Sequence, residues 1–229
     1  MIQEKIQVIK ENIHNCAIKC SRDPNGIKLL AVTKTHPVSV INEAIQSGIE
    51  YIAESKVQEA EGKVSFIKCK EFHFIGHLQS NKINKLLALN PCLIHSIEKF
   101  STAEKLNEAV KQQNKIQEIL IEVNTSGEPS KHGVKPDECT KLIEMIDKLE
   151  NIKVMGLMTI GVLSNDEKVI RKCFSTLREL FEAVKTKNYT RTKMKYLSMG
   201  MSDDYMIAIE EGSNLLRIGS GIFGIRNKR

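Results

Sequence analysis

Leu29-Leu30-Ala31-Val32-Thr33 leads into Lys34, and after Pro37 a helical pattern covers residues 38–47. The five-residue run is apolar on both faces, as a parallel strand covered on both sides must be. The same alternation recurs along the chain. Further strands are expected at 51–53, 72–75, 93–95, 118–123, 153–158, 196–199 and 214–218. Helical patterns fall between them, at 55–67, 81–89, 102–114, 136–149, 166–185 and 203–211. An amphipathic helix over 2–20 precedes them all, with Ile6, Ile9, Ile13 and Ile18 at roughly helical spacing.

Eight β-α alternations with no break in composition place the chain in the α/β class. They predict a (β/α)8 TIM barrel with an extra N-terminal helix, forming one domain over residues 1–229. An open doubly wound sheet is the alternative. Pro37 and Pro136 suit helix first turns, where a missing N–H costs nothing. Gly48 and Gly212 suit helix C-terminal caps. Ser101, three residues before Glu104, has the spacing of a capping box.

Composition narrows the function classes. The net charge is +6, but 34 Lys and Arg are interleaved with 28 Asp and Glu, there is no tryptophan, and aromatics make up 5%. That pattern argues against a nucleic-acid surface. No apolar run approaches the roughly 18 residues of a membrane helix, and the N-terminus is not a secretory signal, so a cytoplasmic protein is expected. Six cysteines, at 16, 20, 69, 92, 139 and 173, form no C-x-x-C pair and read as thiols in a reducing compartment. His73 and His77 are four apart, but Phe72-His73-Phe74-Ile75 reads as a strand. The two rings then do not share a face, and no metal site is expected.

Side chains alternate along a strand, so Leu30, Val32 and Lys34 share one face. With Leu30 and Val32 turned into the barrel, Lys34 projects at its C-terminal mouth, where barrel active sites lie. A partly desolvated lysine holds more neutral amine, the form that attacks an aldehyde. The alternative is a surface lysine in a βα loop. At the far end, Ser198-Met199-Gly200 and Gly219-Ser220-Gly221 follow strands seven and eight, the usual phosphate-binding position in barrels. Glycine N–H groups, a short helix start at Ile222 and the hydroxyls of Ser198 and Ser220 suit an anion; two ordinary turns would share the same residues. A lysine beside a phosphate cradle is the requirement of pyridoxal 5′-phosphate (PLP). Arg217 points into the barrel below the cradle and needs an acceptor. A pyridine nitrogen, kept unprotonated by a permanently charged arginine, and a carboxylate at Glu54 or Glu122 are the two candidates.

Through Ala31-Val32-Thr33-Lys34-Thr35, His73-Phe74-Ile75-Gly76-His77-Leu78-Gln79-Ser80-Asn81-Lys82, Lys131-His132-Gly133, Leu197-Ser198-Met199-Gly200-Met201-Ser202 and Arg217-Ile218-Gly219…Ile222-Phe223-Gly224, the chain resembles the pyridoxal-phosphate homeostasis protein family. The resemblance implies a barrel like the N-terminal domain of alanine racemase. It also implies an internal aldimine of PLP on Lys34, phosphate contacts from Ser198, Gly219 and Ser220, and Arg217 facing the pyridine nitrogen. The sequence departs from the family locally. Ala53-Glu54-Ser55-Lys56 stands where the family has Gly-Glu-Asn-Tyr, so the asparagine near the cofactor ring becomes the shorter Ser55.

Three functions compete. A PLP carrier or regulator without strong turnover would act in intracellular vitamin B6 homeostasis, with apo PLP-dependent enzymes as its recipients. A fold-type-III enzyme such as an amino-acid racemase needs bases on both faces of the substrate α-carbon. In alanine racemases the second base comes from a C-terminal β-domain, which this chain lacks; the expectation is therefore a monomeric carrier rather than an enzyme. A barrel for another phosphate metabolite would keep the cradle without requiring Lys34.

Overall fold

The computed structural model describes residues 1–224; the last five residues of the expected domain lie outside them. Eight parallel strands close into a barrel in chain order. They are β1 (Lys28–Val32), β2 (Tyr51–Glu54), β3 (Glu71–Phe74), β4 (Leu93–Ile97), β5 (Gln117–Glu122), β6 (Ile152–Met158), β7 (Tyr196–Ser198) and β8 (Leu215–Ile218). The ring closes by β1–β8 pairing, with Leu30 opposite Arg217. Helices α1 (Ile2–Lys19), α2 (Val38–Gln46), α3 (Val57–Glu61), α4 (Ile83–Ala88), α5 (Phe100–Lys111), α6 (Pro136–Ile146), α7 (Glu167–Lys185), α8 (Tyr205–Glu210) and α9 (Ser220–Phe223) complete the chain.

Strand alternation builds two apolar layers. Leu30, Ala53, Leu93, Leu120, Met155, Met158, Tyr196 and Leu215 fill the barrel interior. Leu29, Ala31, Ile52, Ile94, Ile119 and Ile121 face outward, against the helices. Each fully buried Leu or Ile contributes about 1.5–3 kcal/mol relative to exposure.

α1 lies across α8 and α9 rather than joining the β-α series. It buries Ile6, Ile9, Ile13, Cys16 and Ala17. Ile18, expected on that stripe, is exposed. Asn12 Nδ2 donates to Tyr205 Oη at 3.0 Å. Just beyond α1, Arg22 donates to the carbonyls of Ile209, Gly212 and Ser213, closing the C-terminal end of α8.

Several boundaries differ from the sequence reading. The helix expected over 55–67 ends at Gly62 and resumes only as a 3₁₀ turn at Val64–Phe66; glycine inside a helix costs about 0.5–1 kcal/mol. The pattern at 81–89 splits into a 3₁₀ turn at Ser80–Lys82 and α4. Ser101 does not cap α5, because the helix begins at Phe100, after Lys99. Pro136 occupies its expected place in the first turn of α6, whereas Pro37 is itself the N-cap of α2. Gly48 and Gly212 follow their helices at φ +93° and +102°, as expected. The six cysteines are all free thiols. Among the described residues, no helix is long and apolar enough to cross a membrane.

Candidate functional site

At the C-terminal mouth, the chain ends of β1, β7 and β8 enclose a cavity of about 530 Å³, within the usual range for small-ligand sites. It is lined by Val32, Lys34, His36, Met201, Ser202, Asp203, Arg217, Gly219, Ser220 and Gly224. Four of the six residues expected at the site, Lys34, Arg217, Gly219 and Ser220, therefore share one cavity. The other two do not line it.

Lys34 follows β1 in a tight turn whose next residue, Thr35, has φ +69°. A β-branched residue there is a genuine outlier, and such strain persists only where surrounding contacts impose it. Here the Thr35 N–H donates to the Glu59 carboxylate. Lys63 pairs with Glu59 and, at 3.3 Å, with the buried Glu54. Lys63 Nζ also donates to the Thr33 carbonyl at 3.2 Å. The end of β1 is thus fastened by an ion network directly beneath Lys34. His36 completes this wall, stacked on Phe223 with ring centroids 4.5 Å apart.

The neighbouring wall is the turn Gly219-Ser220-Gly221, where α9 begins. The Gly221 N–H donates to Ser202 Oγ at 2.9 Å. Ser202 belongs to the quoted Met199-Gly200-Met201-Ser202 motif but was not expected at the site. The sequence signal was present, and only its register was unread.

Ser198, expected at the phosphate, does not line the cavity. It shares a strand face with Tyr196 and so turns into the barrel interior, where it is fully buried. Its hydroxyl accepts from Arg217 Nη1 at 2.7 Å and lies 3.2 Å from His95 Nδ1. Ser55 also stands away from the cavity, at the end of β2, with its backbone packed on Gly76. Lys56 is the exposed N-cap of α3.

Arg217 is buried, and its Nη2 donates to the Thr159 carbonyl at 2.8 Å. Burial lowers its pKa to about 10, opposed by the carboxylates of Asp204 and Glu122, so it stays charged at neutral pH. Among the described residues it forms no ion pair within 4 Å. Glu54, one expected partner, is engaged by Thr33 Oγ1 at 2.7 Å and by Lys63. Glu122, the other, is pushed up to about 7, first by burial and then by the negative charge of Glu98.

Beneath Arg217, a hydrogen-bonded chain runs through the barrel that sequence reading missed. Ser198 meets His95; His95 Nε2 lies 2.9 Å from His73 Nδ1; His73 Nε2 lies 2.9 Å from Glu71 Oε2. Burial holds His73 below its ordinary pKa and His95 far below it, so both are neutral. Glu71 is held down at about 2, mainly by its bond to His73, with Lys28 adding to it.

Comparison with known proteins gives this geometry a family. The model for "Alanine racemase, N-terminal domain" matches residues 5–227. The pyridoxal phosphate homeostasis protein of Aquifex aeolicus is 38% identical over 225 residues, covering 97% of both chains. That of Vibrio cholerae is 39% identical over 232 residues, covering 99% of this chain and 97% of its own. This chain belongs to the pyridoxal phosphate homeostasis protein family. PipY of Synechococcus elongatus, whose structure was determined with PLP bound, superposes with a TM-score of 0.84 at 26% identity, covering 98% of this chain and all of its own. Set within the pyridoxal phosphate homeostasis proteins, the cavity between β1 and β8 is the place where a family cofactor has to be tested for fit.

Proposed function

We propose that this chain binds pyridoxal 5′-phosphate at the β1–β8 cavity and serves intracellular PLP homeostasis as a cytosolic, monomeric single-domain carrier without strong turnover. The observation that carries this reading is the convergence of Lys34, Arg217, Gly219 and Ser220 on one cavity. The donor set fits the cofactor: an amine for the aldehyde, a glycine-flanked helix start with hydroxyls for the phosphate, and a buried cation for the ring. When bound, PLP supplies a reactive aldehyde and an electron-withdrawing pyridine ring.

The residues of the chain do the rest. Lys34, on the turn fastened by the Lys63–Glu59–Glu54 network, would be the residue that holds the aldehyde. Gly219, Ser220 and Ser202 hold the phosphate. Ser198 and Thr159 orient Arg217. Arg217, buried and charged, would face the ring nitrogen and keep it unprotonated, which would weaken the ring as an electron sink and suit a holder of PLP better than a racemase. Recipients of the cofactor would be apo forms of PLP-dependent enzymes.

The test is borohydride reduction of the PLP-loaded protein, followed by peptide mapping. The pyridoxyl group is expected on Lys34, and Lys34→Ala is expected to fold without retaining covalent cofactor. Covalent PLP persisting in Lys34→Ala would overturn the assignment. Assays with amino acids then separate carrier from enzyme: turnover at enzyme-like rates, about 1 s⁻¹ or faster, would favour the racemase reading.

A further inference from the structure

On the other side of the barrel mouth, three loops bring together groups that the cofactor site does not use. His77 follows β3, Glu98 follows β4, and His132 lies between β5 and α6. In the closed ring these strands stand opposite β7, β8 and β1. We propose that His77, Glu98 and His132 form a binding site for a divalent transition metal, with zinc the best-suited ion.

The distances support a shared ion over direct hydrogen bonding. His77 Nδ1 is 3.5 Å from Glu98 Oε1, and His132 Nδ1 is 3.4 Å from Glu98 Oε2. Both exceed the 2.7–3.2 Å of a hydrogen bond involving N–H. The two histidines approach different oxygens of the one carboxylate, so Glu98 lies between them, and either distance is close to the roughly 3.4 Å that separates two ligands bound at about 2.0–2.1 Å to one tetrahedral ion. One ligand atom from each residue lies within 4.8 Å of the others. The two imidazoles, from neighbouring loops, lie side by side with centroids 4.3 Å apart and planes 21° apart. Two imidazoles and a carboxylate are a borderline-soft donor set that suits zinc over magnesium or calcium.

The supports are also present. Glu98 is largely buried, and its Oε2 accepts the Gly133 N–H at 2.6 Å, the kind of backbone contact that orients a metal-bound carboxylate. Gly133 has φ +114°, and a Cβ there would lie 2.5 Å from Asn124 N and 2.7 Å from Val123 C. Only glycine lets this loop press onto the end of β5, and that contact fixes the position of His132 beside it. Asn124 Nδ2 donates to the carbonyls of Glu128 and Lys131, and Lys131 Nζ donates to Glu128 and to the Gly161 carbonyl. The loop is therefore braced before any ion binds. Lys99, 3.9 Å from Glu98 and mostly exposed, is long and mobile enough to swing aside. Partial exposure of both histidines makes the ion exchangeable and leaves room for water at the fourth position.

The experiment is zinc titration by calorimetry on the PLP-free, tag-free full chain, with the visible spectrum of the cobalt(II) form. The expected result is one ion per chain, with affinity at least about tenfold lower in His77→Ala, His132→Ala and Glu98→Gln. Cobalt should give a tetrahedral or five-coordinate spectrum lacking thiolate charge-transfer bands. The exposed-thiol variant Cys92→Ser should bind zinc like the wild type. PLP uptake followed by absorbance should remain in all four variants, and their thermal melts should show that each is folded. Stoichiometric binding that survives His132→Ala unchanged, binding lost in Cys92→Ser, or no binding at 100 µM zinc would each overturn the proposal.

Discussion

His73 Nδ1 and His95 Nε2 meet at 2.9 Å inside the barrel, and the groups on either side fix which of them donates. Arg217 can only donate and ionised Glu71 can only accept. Arg217 Nη1–H therefore points to Ser198 Oγ, and the Ser198 hydroxyl points to His95 Nδ1. His95 then donates from Nε2 to His73 Nδ1, and His73 donates from Nε2 to Glu71. One tautomer of each histidine satisfies every group, and any other leaves a buried atom unpaired.

Replacing His95 with alanine breaks this chain in the middle. The Ser198 hydroxyl and His73 Nδ1 each lose a partner in a fully buried place. A loss of about 1–3 kcal/mol in unfolding free energy is expected, measured by urea denaturation. Because the two histidines act through one bond, a His73/His95 double-mutant cycle should show coupling of at least about 0.5 kcal/mol. Additive effects would mean that the bond contributes nothing.

Glu122 gives a pH signature. Its folded pKa of about 7 lies above the ordinary glutamate value of 4.5, so the folded state binds the extra proton between those values. The stability this contributes is full below about 4.5 and is lost as pH rises through 7. Glu122→Gln removes the dependence. The stability of the variant relative to wild type should therefore climb across that window, approaching a gain of about 3 kcal/mol at its upper end. A difference independent of pH would contradict the shift.

Lys63 holds two carboxylates and the Thr33 carbonyl at the end of β1. Glu54 is fully buried; Thr33 and Lys63 both reach its Oε1, and its Oε2 has no hydrogen-bond partner among the described residues. Lys63→Met strands that charge and is expected to destabilise the fold by about 3 kcal/mol. It should also weaken PLP retention, because the turn bearing Lys34 loses its fastening. Unchanged retention in a folded Lys63→Met protein would separate the network from the site.

Gly76→Ala tests the packing of the β2 and β3 ends. A Cβ at Gly76 would lie 1.8 Å from the Ser55 carbonyl oxygen, which backbone on both sides prevents from moving. Expression as insoluble or strongly destabilised protein is expected. Ser55→Ala, which leaves the backbone in place, should melt within a few degrees of wild type.

The barrel was legible because its signals are local and repeated. Eight strand-like runs such as Leu29–Val32, seven of them followed by helical periodicity, mark the chain, and each needs only neighbouring residues to be read. Lys34 and Gly219-Ser220-Gly221 were legible for the same reason, since position at a strand's C-terminal end is itself a local property. The side on which Ser198 stands was not legible, because it depends on strand register: alternation with Tyr196 turns it inward, while Ser202 lines the cavity. The axial chain was not legible, because Glu71, His73, His95, Ser198 and Arg217 come from four strands and meet only once the barrel closes. His77, Glu98 and His132 were hidden in the same way, and the spacing of His73 and His77 drew attention to a pair that points to different places.

The packing of α1 on α8 and α9 has a consequence for how the chain is made. The partner of Asn12 is Tyr205, 193 residues later. At about 5–20 residues per second, the first helix leaves the ribosome roughly 10–40 s before its docking surface exists. During that interval the stripe of Ile6, Ile9 and Ile13 lacks the cover of α8 and α9, with only the neighbouring α2 and the turn after α1 available to it. A helix made well before α8 is thus completed only after it, and a nascent chain paused before residue 205 would leave part of that isoleucine stripe open to chaperones.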